Sequence, residues 1–217
     1  MSTLWMVIGP SGTGKSTLVK ALTTHVPDLK EAVSHTTRSP RGGEINGVTY
    51  HYIDMPTFTR MQIDGDFIEW VQYPKGSPNA NYYAVAKSEI DSKLSLGDVI
   101  IIVEGHGAQQ LLARYPTARI VFLLAPPREE LHRRLKERGD IEQLINTRLD
   151  SVSKEMEFLT LGDYQLSPAT RHELFLKAGL AILTERYRQA KFSAEVTSLE
   201  AHLRKVAHDY AREFGEA

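Results

Sequence analysis

Three short apolar runs punctuate the chain: Leu4 to Ile8, Val99 to Val103 and Ile120 to Leu124. None alternates apolar with polar residues, so each reads as a parallel strand covered on both faces rather than a half-buried one. The first stops at a glycine-rich turn, the second follows the turn Gly97-Asp98, and the third is closed by Pro126-Pro127. Helical patterns separate and follow them, over Ser16 to His25, Lys87 to Leu96, Gln109 to Arg114 and Arg128 to Arg138. Strand alternating with helix predicts an α/β fold built on a doubly wound parallel sheet, with right-handed crossovers.

Between Val33 and Val85 the texture changes to short alternating runs, such as Tyr50 to Ile53 and Phe67 to Tyr73, among many Gly, Asn and Pro residues. That texture predicts a small inserted subdomain of mixed β structure. Lys75 to Asn81, within the run PKGSPNAN, is the best loop candidate because two prolines and a glycine interrupt any ladder. Beyond Leu149 strand signals stop, and Glu173 to Ala190 and Ser198 to Phe214 read as helices. Their apolar stripes suit a core contact better than a dimer face.

Length and charge narrow the function classes. A chain of 217 residues suits one α/β domain with a movable appendage. With 26 basic and 27 acidic side chains there is no overall basic field for nucleic acid or an anionic membrane, so any phosphate site must be local. The absence of cysteine excludes disulfides and thiolate metal sites, and fits a reducing compartment. The amino-terminal apolar run is too short for a membrane span and lacks a signal-peptide layout, so the expectation is a cytoplasmic protein.

The turn after the first strand reads GPSGTGKS, from Gly9 to Ser16, a full match to G-x-x-x-x-G-K-[ST] in the required strand-loop-helix setting. Gly12, Thr13, Gly14, Lys15, Ser16 and Thr17 would wrap backbone N–H groups around a polyphosphate at the positive end of a helix. Lys15 would reach the β and γ phosphates, and the Ser16 hydroxyl would ligate Mg²⁺. ATP and Mg²⁺ are thus the expected donor and cofactor. The loop alone leaves ATPase, GTPase, kinase and scaffold open.

The acceptor side narrows that choice. SHTTRSPRGGEINGVTYHY, starting at Ser34, places Arg38, Arg41 and Tyr50 in one polar stretch. Two guanidinium forks and a phenol suit a phosphate dianion, although surface arginines and a core tyrosine would read the same way in isolation. The phosphate loop, this stretch, FIEW (Phe67 to Trp70), NYY (Asn81 to Tyr83) and GAQQ (Gly107 to Gln110) occur in an order that resembles guanylate kinase, over roughly residues 4 to 158.

The resemblance implies phosphoryl transfer from ATP to a nucleoside monophosphate, GMP or dGMP. It implies that Arg38, Arg41, Tyr50 and Tyr83 hold the acceptor phosphate and that Ser34 and Glu69 read the guanine edge. Guanine offers two adjacent donors, and a carboxylate can accept both. LHRRLKERGDIEQLINTRL resembles the family's lid, whose arginines match Arg134, Arg138 and Arg148 and would stabilise the charge of the transferring phosphoryl group. In these terms residues 1–32 and 86–127 form the core, 33–85 the monophosphate-binding part, 128–150 the lid and 151–217 a helical carboxy-terminal region.

Departures from the family pattern fall in the base and metal regions. Ala84 and Val85 follow NYY where the family has glycine and a hydroxyl residue that touches the base. The family's paired acids before G-A stand here as Ile102 and Glu104; Glu104 keeps the reach to contact the guanine amine, while Ile102 removes an acceptor for the water shell of Mg²⁺. His106 replaces a glutamine and reads as structural. The carboxy-terminal strand with the family's V-x-N-D adenine contact is expected to be missing. These departures keep two rivals open: a related kinase acting on ribose 1,5-bisphosphate or a modified deoxynucleotide, and a silent guanylate-kinase-like module that binds proteins. A monomer and a homodimer both remain open.

Overall fold

The computed structural model describes residues 2–73, 76, 80–167, 171–190 and 201. The first segment folds as β1 (Leu4–Ile8), α1 (Lys15–His25) and β2 (Leu29–Glu31). The inserted stretch forms β3 (His35–Thr36), β4 (His51–Tyr52), α2 (Met55–Ile63), β5 (Phe67–Tyr73) and β6 (Asn81–Ala86). Next come α3 (Lys87–Leu94), β7 (Asp98–Ile102), α4 (Gly105–Arg114) and β8 (Arg119–Leu123). The chain continues through α5 (Arg128–Glu137), α6 (Glu142–Met156), a 3₁₀ turn (Glu157–Leu161), β9 (Tyr164–Leu166) and α7 (Arg171–Ala190).

The large sheet is parallel throughout, in the order β2-β7-β1-β8-β9. β1 lies in its centre with every side chain buried, as an unbroken apolar run requires. One face packs Trp5, Val7 and Ile100 against Leu18 and Leu22 of α1 and Phe175 and Ile182 of α7. The other packs Met6, Ile101 and Phe122 against Ile90 of α3 and Leu111 of α4. Helices on both faces are the doubly wound arrangement read from the sequence.

The inserted stretch is a second sheet, ordered β4-β3-β6-β5 and mixed in direction. Its outer face is closed by α2, whose Phe58 meets Phe67 and Tyr82 at ring-centroid distances of 5.1 and 4.8 Å. The sequence pattern does not announce α2, because Phe58 is its only buried residue. Local chemistry marks it instead: the Asp54 carboxylate accepts the Thr57 N–H at 2.9 Å and Pro56 occupies the first turn.

Two expectations need correction. Strand signals do not end at Leu149: β9 adds Tyr164–Leu166 to the parallel sheet beside β8, so the carboxy-terminal strand expected to be missing is present. Only Leu166 of its three residues is buried, too little for periodicity to register. It is held from outside the strand as well, by Asp163 accepting the Ile120 N–H at 2.8 Å. The helix expected from Gln109 begins at Gly105. Packing selects the glycines there, since a Cβ on Gly105 would lie 2.1 Å from the Phe158 ring. The α7 stripe is core, as expected. The helix expected over Ser198 to Phe214, and most of the loop within PKGSPNAN, lie outside the described residues.

Candidate functional site

The glycine-rich loop leaves the C-terminal end of β1, between β7 and β8, where parallel α/β sheets open a crevice. Gly14 caps α1 in the left-handed region at φ 98°, turning the first N–H groups of the helix toward the loop. Gly12 stands at φ 87°, and a Cβ there would lie 2.9 Å from Leu131 and 3.0 Å from Leu135. The absent side chain is what lets α5 rest on the loop. Thr13 is buried and closes the turn through its hydroxyl to the Pro10 carbonyl at 2.8 Å. Ser16 and Thr17 are exposed at the start of α1.

Lys15 curls back over the loop and donates to the carbonyls of Gly9 and Pro10, the latter at 2.9 Å. Burial pulls its ammonium down to about 8, opposed by Glu155 and Glu104 and reinforced by Arg138 and Arg148. Two predicted lid arginines therefore sit within electrostatic reach of the loop lysine. The stretch expected to be the lid is an α5–α6 hairpin with its own apolar seam of Leu131, Leu135, Ile145 and Leu149. His132 and Glu142 pair across it at 2.7 Å. Arg148 donates to the Ser11 hydroxyl, and Arg138 pairs with Asp140 in the turn between the helices. Arg134 is bound to Glu130 on its own helix at 2.8 Å.

On the acceptor side Arg38, Tyr50 and Tyr83 come together. The Arg38 guanidinium lies 5.6 Å from the Tyr50 ring centre, and the Tyr50 and Tyr83 rings meet edge to face at 5.8 Å. Arg38 is already engaged: both terminal nitrogens reach the Glu44 carboxylate at 2.9 Å. Glu44 also accepts the Arg41 N–H at 2.7 Å and the Tyr52 hydroxyl at 2.8 Å. These bonds, the one from Arg38 foremost, hold its carboxyl down to about 2, so it stays charged throughout the working range. The Arg41 side chain is exposed. Sequence reasoning passed over Glu44 and Tyr52; the signal for Glu44 was its place six residues after Arg38 in the same polar stretch.

The residues expected to read the base lie deeper. Glu69 is only 7% exposed, and its Oε2 is buried without a hydrogen-bond partner. A β-bulge between Phe67 and Glu69 decides where it points. Strict alternation would place the two on one face; with the extra residue, Phe67 joins the α2 cluster while Glu69 aligns with Val85 on the other face. Its carboxylate lies against Gly107, where a Cβ would come within 2.8 Å. Burial pushes the carboxyl up to about 7, and Glu104 adds to the effect.

Glu104 is the exposed N-cap of α4, and its charge acts on both Glu69 and Lys15. Ser34 is half-buried, and its carbonyl accepts the His51 N–H at 2.9 Å. Val85 is 2% exposed within the main core. Ile102 packs partly buried against the opposite core face, and His106 stacks edge-on to Phe158 at 4.8 Å.

Among the described residues no cluster of three or more His, Asp or Glu side chains could hold a metal. Nor is any described helix long and apolar enough to cross a membrane.

The family model described as guanylate kinase matches residues 1–166. A guanylate kinase of Pseudomonas fluorescens is 39% identical over 164 residues, spanning 75% of this chain and 77% of its own. One from Chromohalobacter salexigens is 34% identical over 209 residues, 95% of each chain. Among solved structures, the guanylate kinase of Anaplasma phagocytophilum superposes with a TM-score of 0.64 at 20% identity over 85% of this chain and 86% of that one, a likeness of fold.

Proposed function

The chain belongs to the guanylate kinase family, and from that premise we propose that it transfers the γ-phosphoryl group of ATP to GMP with the residues gathered around the crevice. The observation that carries the base assignment is Glu69: a buried carboxylate with an unpaired oxygen is a costly feature unless a ligand completes it. Guanine, with N1–H and the exocyclic amine side by side, supplies two donors to one carboxylate; adenine has no proton at N1. Glu104, whose charge acts on Glu69, takes the second amine hydrogen in this reading.

In this reading the GMP phosphate binds at Arg38, Tyr50 and Tyr83, with Arg41 closing from the exposed side. Glu44 fixes the Arg38 fork against the Tyr50 ring, so little side-chain entropy remains to be lost on binding. The ATP phosphates lie along the N–H groups from Gly12 to Thr17. Lys15 exchanges its two carbonyl partners for β and γ oxygens. An acceptor phosphate oxygen, ionised near neutral pH, attacks the γ phosphorus in line as the bond to the β–γ bridging oxygen breaks and ADP leaves, so no general base is required. Lys15, Arg138 and Arg148 offset the charge spread over the transferring group, and lid contact with the loop excludes water. Arg134, paired with Glu130, enters only if lid closure frees it.

The donor set fits Mg²⁺, which is held by few protein ligands together with phosphates and water: the exposed Ser16 lies in the first turn of α1 beside the loop, and among the described residues no carboxylate cage competes for the ion. When bound, the ion would be held by the Ser16 hydroxyl and would neutralise part of the phosphate charge.

A coupled ADP-release assay with GMP, dGMP, AMP and ribose 1,5-bisphosphate tests the proposal. Turnover with GMP well above AMP and the sugar phosphate is expected. ADP release that is independent of acceptor, or fastest with the sugar phosphate, would overturn it.

A further inference from the structure

The lid carries a residue whose place goes beyond the assignments above, on which this inference rests. Arg138 closes α5 and Arg148 lies in the second turn of α6, on opposite sides of the hairpin turn. Two guanidinium groups near one loop repel each other until a polyphosphate arrives, so something must hold them in place beforehand. The turn supplies a single carboxylate, Asp140. Its Oδ2 pairs with Arg138 and lies 3.7 Å from Nε of Arg148.

We propose that Asp140 is a positioning residue for phosphoryl transfer, a shared anchor that aims both lid arginines at the phosphate loop. The three side chains differ in exposure as that role requires. Asp140 is 15% exposed, Arg148 23% and Arg138 47%, so the carboxylate is the most enclosed member and each arginine keeps an open edge. Arg148 uses one terminal nitrogen on the Ser11 hydroxyl, directs Nε toward Asp140, and retains its other terminal nitrogen. Its Nε is buried and makes no hydrogen bond, so charge attraction to Asp140 is what compensates it.

Among the described residues the Asp140 carboxylate pairs with these two arginines and makes no other side-chain bond. The Asp140 backbone is held by its own N–H to the Leu135 carbonyl at 3.2 Å, and α6 starts without a side-chain cap. The carboxylate thus acts on the direction of two cations rather than on the path of the turn. Arginines aimed in advance stabilise a transition state without reorganising during it, and this acts on turnover more than on acceptor binding.

The test is steady-state kinetics of Asp140→Asn, with Mg·ATP and GMP varied separately and thermal melting run alongside. An about tenfold fall in kcat with KM for GMP unchanged is expected, because an amide keeps the shape and removes the charge. In an Arg148→Met background the same change should cost at most about threefold, since one of the two groups it acts on is gone. Asp140→Glu, which keeps the carboxylate, should recover most of the turnover. Full kcat in Asp140→Asn, the same fold loss in both backgrounds, or no recovery with Glu would each overturn the inference. If Asp140→Asn also lowers the melting temperature, the Glu variant still decides, because a purely structural loss gives no selective return of kcat. Wild-type protein inactive on GMP would instead refute the assignment of function and leave the lid geometry aside.

Discussion

Replacing Glu69 by Gln changes one oxygen for an NH₂ group of nearly the same size and separates binding from stability. Against guanine, the variant loses a charged acceptor for two donors and turns one donor toward another. Hydrogen bonds to charged groups contribute roughly 1.5–3 kcal/mol each, so a net loss of about 3 kcal/mol is expected, on the order of a hundredfold in KM for GMP.

Protonation sharpens the test. The free carboxyl sits at about 7 because of burial and then Glu104, so near pH 6 only about a tenth of the protein carries the ionised form that guanine needs. KM for GMP should therefore fall about tenfold between pH 6 and 8 beyond any change shared with the variant. The GMP phosphate itself titrates near pH ~6, but Glu69→Gln retains that ionisation and so subtracts it.

Stability moves the opposite way. A folded-state carboxyl raised from 4.5 to about 7 means the native protein holds this proton more tightly than the unfolded chain. Its contribution is fully present below about 4.5 and is lost as the pH rises through about 7. By pH 8 that loss is about 3 kcal/mol, an upper figure for a group with some access to solvent. Glu69→Gln cannot ionise, so it should melt higher than wild type at pH 8 without nucleotide, and the gap should close toward pH 4.5. The assays are GMP saturation at fixed Mg·ATP from pH 6 to 8.5 and denaturation of the ligand-free protein across pH. Equal KM values, or identical pH dependence of KM in both proteins, would remove Glu69 from the base site; a variant less stable than wild type at pH 8 would refute the buried-charge argument.

Three other outcomes are expected. Lys15→Ala should reduce kcat by at least about a thousandfold in the ADP-release assay with little change in melting temperature, because the hydrogen bonds of Lys15 go to its own loop carbonyls and hold no distant element. Gly107→Ala touches no nucleotide but puts a methyl 2.8 Å from the Glu69 carboxylate; the side chain can swing away, so folding should survive while KM for GMP rises about tenfold. Unchanged KM would show that the carboxylate does not work from its present position. Val85→Ser returns a hydroxyl opposite Glu69 but buries it within the main core; destabilisation of about 1–3 kcal/mol in denaturant melts is expected without GMP, and saturating GMP should recover part of it if the hydroxyl meets the base.

Much of this protein was legible before any coordinates. The apolar runs at Leu4, Val99 and Ile120 read as strands covered on both faces, because each is five residues long, without alternation, and bounded by glycine or proline turns. The Gly9 to Ser16 pattern located the phosphate loop because its chemistry is almost wholly backbone, and glycine spacing records backbone conformation directly. Elements that owe their form to distant partners were hidden: β9 exists because β8 and Asp163 hold it, and α4 starts at a glycine because Phe158 occupies the space of a side chain.

For the site the division is similar. The residue types at Arg38, Tyr50, Glu69 and Arg148 state which charges and hydrogen-bonding groups are available, and these follow from covalent chemistry alone. Where they point does not. A one-residue bulge turns Glu69 away from Phe67, Glu44 orients Arg38, and one carboxylate in the lid turn gathers two arginines. Each depends on groups brought close by folding, and both burial, which moves the Glu69 proton, and attraction, which aims the arginines, act across space rather than along the chain.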